Sequence, residues 1–281
     1  MAGPMLVSCG KKGNSASSWP LVAISSELGN RDAQVAQMKG ALLSINPSVR
    51  LVDLSHENQG NNLLEASYLF DKTVASFPSG TLFIMVMDAG NGQSHKPVLI
   101  LTQAGKYLIG PDNGIFTHVV GRELVDQAIQ LENADYFRPG GITREMQGRD
   151  IFGPVAAHLA AGTDPAKFGP RLKEITRLKN ISPTTLGNKT NGMVIHADRN
   201  GNLLTNIRAE NISTQSKGKL LKISFKGKTV SCPYIQSAAE APANRLYCLI
   251  NADGEFEIKL REGSAAASTG LKAGEPIVIQ H

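Results

Sequence analysis

The stretch Thr81-Leu82-Phe83-Ile84-Met85-Val86-Met87-Asp88-Ala89-Gly90-Asn91-Gly92 decides how the chain is read. Six apolar residues, Leu82 to Met87, run without a break. Such a run belongs to a strand buried on both faces, as in a parallel sheet. It stops at Asp88, and Gly90 and Gly92 follow. Glycine admits positive φ and lets a ligand approach the backbone closely. A carboxylate beside a bare turn at the end of a core strand has two readings. In open α/β sheets, ligands bind beyond the carboxyl ends of the strands. Alternatively, Asp88 only caps a turn.

Working outward, the flanking segments supply the other parts of an α/β domain. Leu21 to Ser25 and Val49 to Asp53 are short apolar strands. Between them Val35, Met38, Leu42 and Ile45 share one helical face, with Asp32 expected as the N-cap and Asn46-Pro47 as the stop. Leu63, Ala66, Phe70, Val74 and Phe77 mark a second amphipathic helix, capped by Asn61 or Asn62. Strand–helix–strand–helix–strand order implies right-handed parallel crossovers. Val98–Thr102 and Lys106–Ile109 read as a hairpin. Gly110-Pro111-Asp112-Asn113-Gly114 opens a short helix through Val120, and Gly148 to Ala161 forms an alanine-rich helix. After Gly192 the pattern changes to short alternating strands, the mark of an all-β region.

The expected organisation is a flexible tail over 1–18, an N-terminal α/β domain over 19–183, a polar linker over 184–191 and a small all-β barrel over 192–281. The α/β domain is expected as a three-layer sandwich with a mostly parallel sheet. Charged residues are 19% and hydrophobic residues 41% of the chain, which suits a packed core and argues against wholesale disorder. The net charge is +5, yet no basic run exceeds Lys11-Lys12, so no nucleic-acid partner is expected. No apolar run approaches the length of a membrane-spanning helix.

The three cysteines, Cys9, Cys232 and Cys248, form no C-x-x-C pair, which argues against a structural zinc site. Cys232 and Cys248 either pair in an oxidising compartment or remain buried thiols. Leu6-Val7-Ser8-Cys9-Gly10 resembles a bacterial lipobox, without the basic and apolar regions that precede such a site. Two locations therefore stay open: the bacterial cytoplasm, or a lipid anchor at Cys9.

Several turns, in order, resemble the S-adenosyl-L-methionine (SAM) hydroxide adenosyltransferases, the SAM hydrolases related to fluorinase and chlorinase. They are Ser26-Glu27-Leu28-Gly29 with Asp32, Val52-Asp53-Leu54-Ser55-His56, Gly110-Pro111-Asp112-Asn113-Gly114, Gly148-Arg149-Asp150-Ile151-Phe152, Asp198-Arg199-Asn200-Gly201-Asn202 and Gly263-Ser264-Ala265-Ala266. The resemblance covers residues 20 to 281 and implies a homotrimer. SAM would lie between the N-terminal domain of one subunit and the C-terminal domain of the next. Glu27 stands where the family's carboxylate grips the ribose hydroxyls. Asp198 and Asn202 match positions that hold the methionine end and the adenine. Asp32, Asn113 and Ser264 fall in matching motifs and are carried over as substrate-binding residues. SAM or adenosine is the implied ligand, with no metal and no cofactor beyond SAM as substrate.

Family hydrolases use an Asp, an Arg seven residues later and a His of an F-H-G-R-D motif to orient or deprotonate the attacking water. The matching positions here are Asp88, His95 and Gln147, with Ala89 in place of a Pro. The related halogenases carry a Tyr in place of the Asp, so Asp88 argues against a halogenase. His95 either shares the role of Asp88 or is a solvated loop residue. Gln147 can orient water but is no base near neutral pH. The leading expectation is a hydrolase that cleaves SAM to adenosine and methionine. The rival is a SAM- or adenosine-binding protein that has lost the chemistry, and a lipid-anchored scaffold is a third reading.

Overall fold

The structure is a computed structural model that describes residues 20–58, 62–88 and 95–281 of the 281-residue chain. The expected tail, Cys9 with its lipobox-like motif, Asn61 and the glycine turn after Asp88 lie outside the described residues.

The N-terminal domain is built on β1 (Leu21–Ser26), α1 (Gln34–Ile45), β2 (Arg50–Ser55), α2 (Leu63–Ala75) and β3 (Leu82–Val86). It continues with β4 (Pro97–Thr102), β5 (Tyr107–Pro111), α3 (Thr117–Arg122), β6 (Val125–Gln130) and α4 (Gly153–Ala160). The six strands form one sheet in the order β2-β1-β3-β5-β4-β6. The pairs β1–β2, β1–β3 and β3–β5 are parallel, while β4 runs antiparallel to β5 and β6. β3 is central, and its alternate side chains enter two different cores. Leu82 and Ile84 pack with Met38, Leu42 and Val155 from α1 and α4. Phe83 and Met85 pack with Phe70, Val74 and Val119 from α2 and α3. That gives the expected three layers, and it is why the apolar run shows no period of two.

The second helix starts as expected. Asn62 accepts the amide of Glu65 at 3.2 Å and donates to its carboxylate at 3.0 Å. The first does not: its N-cap is Ala33, and Asp32 is exposed and makes no cap bond. The alanine-rich helix is also interrupted at its start. Gly148–Phe152 is a wide π-turn that runs into α4. Pro154 has no N–H for the carbonyl of Asp150, which accepts the Arg138 amide instead at 2.9 Å. Gly148 and Gly153 let this turn lie against Met38 of α1, where an added Cβ would sit 3.1 Å from its atoms.

The C-terminal region holds β7 (Thr184–Leu186), β8 (Lys189–Ala197), β9 (Leu203–Arg208), β10 (Leu220–Phe225), β11 (Lys228–Pro233), β12 (Leu246–Ile250), β13 (Glu255–Leu260), α5 (Ala265–Thr269) and β14 (Pro276–Gln280). The strands form an antiparallel sheet in the order β11-β10-β14-β8-β9-β13-β12, with β7 on β8. It curls into a near-barrel around Val194, Leu203, Ile223, Phe256 and Ile279. Cys232 of β11 and Cys248 of β12 face each other across the seam as buried free thiols, Cys248 Sγ lying 3.8 Å from the Cys232 carbonyl. The stretch 184–191 is not a linker. Thr184 to Leu186 pair with Lys189 to Asn191 around a turn at Gly187, whose φ is +57°. Its polar composition reflects an exposed edge strand, where Leu186 itself is open to solvent.

Candidate active site

β1 and β3 are parallel neighbours, so both end on the same side of the sheet. Their ends are stitched together. The Glu27 amide donates to the Val86 carbonyl at 3.1 Å. The Asp88 amide donates to Glu27 Oε1 at 2.7 Å. From the turn after β5, the buried Asn113 donates to the Met87 carbonyl at 2.8 Å and accepts the Ile115 amide at 3.1 Å. Asn113 therefore spends its side chain on holding the end of β3. Gly110 allows this approach, since a Cβ there would press on the Met85 carbonyl.

Beyond β3 lies a cavity of about 80 Å³ lined by Glu27, Asp88, Glu145, Gln147 and Phe152. Asp88 is exposed at its mouth, while Glu27 and Gln147 are half-buried. Gln147 arrives on the loop before the π-turn. Asp150 anchors that loop: it is fully buried and bonded by the Thr143 amide at 2.9 Å and by Arg149 at 2.6 and 2.9 Å. Burial works to raise the Asp150 pKa, but Arg149 and the Thr143 amide outweigh it and hold the carboxyl below its ordinary value.

The Glu27 turn is held from behind. Ser26 Oγ meets His56 Nδ1 at 2.7 Å, and His56 Nε2 lies 3.1 Å from Asp53, which pairs with Lys39 at 2.6 Å. The His56–Asp53 contact is not aligned as a hydrogen bond. This line looks like a Ser–His–Asp triad. Ser26 is fully buried, so no substrate reaches it, and the line serves to orient the turn.

Asp198, Asn202 and Ser264 meet elsewhere, on the barrel. Asp198 accepts the amides of Asn200 and Asn202, both at 2.8 Å, and the Asn202 side chain at 2.7 Å. Burial works to raise its pKa, but these donors and nearby Lys259 keep it below the ordinary value. Ser264 caps α5 through the Ala267 amide, and the Ala266 amide donates to the Gly201 carbonyl at 2.9 Å, tying the two turns together. Among the described residues, no hydrogen bond or ion pair joins this group to Glu27, Asp88 or Gln147.

The structure thus gathers Glu27, Asp88 and Gln147 round one cavity, and Asp198, Asn202 and Ser264 in another place. Asp32 and His95 do not line the cavity. His95 is half-buried ahead of β4, and among the described residues no bond joins it to Asp88. Two features escaped the sequence: Glu145 in the cavity wall, and the Ser26–His56–Asp53–Lys39 line. Glu145 stands only two residues before Gln147, which was the one available signal.

A wider cleft of about 860 Å³ lies between α2, α3 and the barrel. Within it Lys72 pairs with Asp253 and Glu255, and Arg122 with Asp71. Among the described residues, no group of three or more His, Cys, Asp or Glu is placed to hold a metal ion.

Comparisons with known proteins place the chain in a family. Residues 22–169 match the SAM hydroxide adenosyltransferase N-terminal domain, and residues 192–278 match its C-terminal domain. The chain is 30% identical to a protein of Thermus thermophilus named (R)-S-adenosyl-L-methionine hydrolase, over 90% of this chain and 96% of that one. It is 29% identical to a Methanocaldococcus jannaschii protein of the same name, over 85% and 87% of the two chains. A protein of Actinoplanes sp. named fluorinase is 27% identical, over 92% and 97%. Among solved structures, an uncharacterized conserved protein of Thermotoga maritima superposes with a TM-score of 0.83 at 28% identity, covering 92% of this chain and all of that one. Both domain matches, in order and spanning most of the described residues, show that the chain belongs to the SAM hydroxide adenosyltransferase family.

Proposed function

We propose that the protein cleaves SAM with water to give adenosine, L-methionine and a proton. One observation carries the reading: Asp88 stands at the open end of β3, in a cavity whose wall also bears Glu27. Water is a poor nucleophile, and catalysis here means holding it in line behind the ribose C5′. Asp88 accepts a hydrogen bond from that water and takes its proton as the C–O bond forms. The C5′–S bond breaks with its electron pair going to sulfur, which leaves as a neutral thioether and needs no acid. Gln147 orients the water from the second wall. Glu27 receives the ribose diol, for which two carboxylate oxygens are well suited.

The cavity of about 80 Å³ is too small for SAM, since ligand sites usually enclose about 300–1,000 Å³. That supports a site closed by a second copy of the chain, which brings Asp198, Asn202 and Ser264 to the methionine and adenine ends. A homotrimer satisfies this arrangement for every subunit. Incubation with SAM, followed by chromatography for adenosine, tests the reaction; a rate no higher than without enzyme sinks it.

A second reading is a SAM- or adenosine-binding protein without turnover. It is favoured by Gln147, which cannot take a proton, and by the position of His95 outside the cavity. Calorimetry separates the two readings: tight binding of intact SAM without adenosine release supports the second.

A further inference from the structure

We infer that Glu27 is a positioning residue for Asp88, in addition to the ribose role proposed above, on which this inference rests. The parallel ladder between β1 and β3 has its last paired residues at Ser26 and Val86. After that β1 turns away, and Gly29 adopts a φ of +68°. The backbone of β1 therefore offers no carbonyl to the next amide of the neighbouring strand. The Glu27 side chain supplies the missing acceptor: Oε1 takes the Asp88 amide at 2.7 Å, while the Glu27 amide donates to Val86 at 3.1 Å. These two bonds carry the ladder one step further and fix the backbone from which the Asp88 carboxylate projects.

The length of the side chain matters. The family resemblance places an Asp at this position, and an Asp is shorter by one C–C bond, about 1.5 Å. From the same backbone it falls short of the Asp88 amide. The turn is also firmly based. Ser26 Oγ is held by His56 at 2.7 Å, the Gly29 amide donates to the His56 carbonyl at 2.7 Å, and Asn58 donates to the Ser26 carbonyl at 2.9 Å. A turn held at both ends transmits force rather than absorbing it. Glu27 Oε2 remains for a ligand hydroxyl, because a carboxylate has about four acceptor positions. Ligand held by one oxygen is thereby linked through the other to the placement of Asp88.

Glu27→Gln and Glu27→Asp separate positioning from simple ligand contact. The Gln variant keeps an acceptor for the Asp88 amide but loses the charge. The Asp variant keeps the charge but loses the reach. Positioning predicts that Glu27→Asp lowers kcat about 10- to 100-fold, because small misplacements at the reacting centre are costly. Glu27→Gln raises KM about tenfold, as expected for losing a charge-assisted bond, and lowers kcat far less than Glu27→Asp does. Simple ligand contact predicts the opposite order, with Glu27→Asp mild and kcat unaffected in both. The Asp88 amide resonance in a 1H–15N spectrum of the full-length protein without ligand gives an independent reading. It is expected to stay near its wild-type position in the Gln variant and to move upfield in the Asp variant. An unmoved Asp88 amide in Glu27→Asp overturns the inference. If the wild-type protein forms no adenosine, the SAM reading fails, and the amide spectrum still decides whether Glu27 positions Asp88.

Discussion

Tyr68 of α2 donates to Glu255 of β13 at 2.8 Å, joining the two domains through a bond buried from solvent. Lys72, one turn further along α2, reaches Glu255 and Asp253, each at 2.8 Å. Glu65, one turn earlier, meets His196 of β8 at 2.6 Å. Three residues on one helical face thus dock the barrel. Burial, reinforced by Glu255, pushes the Tyr68 pKa far above its usual value, so the phenol stays a donor throughout the working range.

Removing that donor tests the docking. Tyr68→Phe preserves shape but takes one partner from a carboxylate that is only 3% exposed. Lys72 and Asn251 remain to it, so the expected loss is about 1–3 kcal/mol. Urea unfolding, compared with wild type at equal slope, measures it. A change below about 0.5 kcal/mol, the usual surface range, would show that the bond contributes no more than a surface contact.

Asp150 predicts an acid sensitivity. Burial opposes its ionisation, but Arg149 and the Thr143 amide prevail, so its folded pKa lies below the ordinary 3.8. A depressed carboxyl pKa contributes stability that is fully present above the unfolded value and is lost as pH falls through the folded one. Asp150→Asn should destabilise by about 1.5–3 kcal/mol, the range for hydrogen bonds to a charged group. The gap from wild type should be flat at neutral pH and close below pH 3.8. A gap that instead widens on acidification contradicts the assignment.

The fold was legible where burial leaves a local pattern. Leu82 to Met87 read as a two-faced core strand because both of its faces meet helices. β6 was not read: Asp126 and Gln127 break its apolar run, and its pairing partner β4 lies far back in the chain. The hairpin at 184–191 read as a linker because an exposed edge strand needs no apolar alternation. The same limit applies to the site. Asp88 was marked by the strand it ends, and Glu27 by the turn it occupies. Their mutual bond spans 61 residues and leaves no period in the sequence. Glu145 was missed because only the π-turn after Gln147 brings that loop to the cavity.

The cavity wall predicts which side chains carry the proton. Asp88→Asn keeps the size of the side chain but removes the acceptor charge. Adenosine formation should fall about 10²- to 10⁴-fold, the usual worth of a general base, with SAM affinity nearly retained. Glu145 gives a second test, because it lines the cavity where Gln147 cannot act as a base. Glu145→Gln should lower kcat less than Asp88→Asn does, because Asp88 stands at the open end of β3. A loss as large as that of Asp88→Asn would assign the proton to Glu145 as well as to Asp88.

The proposed division of the site between two chains makes a stronger prediction. Glu27 lies in the N-terminal cavity and Asp198 on the barrel, and no described bond joins their surroundings within one chain. Glu27→Ala destroys one half of the proposed site, and Asp198→Ala destroys the other. Each variant alone should form little adenosine. Co-expressed in equal amounts, they assemble mixed trimers in which about a quarter of the interfaces pair an intact N-terminal half with an intact barrel half, by random mixing in a closed ring. Adenosine formation should return to about a quarter of the wild-type rate. A site contained within one chain recovers nothing, because every subunit carries one lesion. Light scattering on the same preparations reads the mass directly, and a monomer with and without SAM would overturn the shared site.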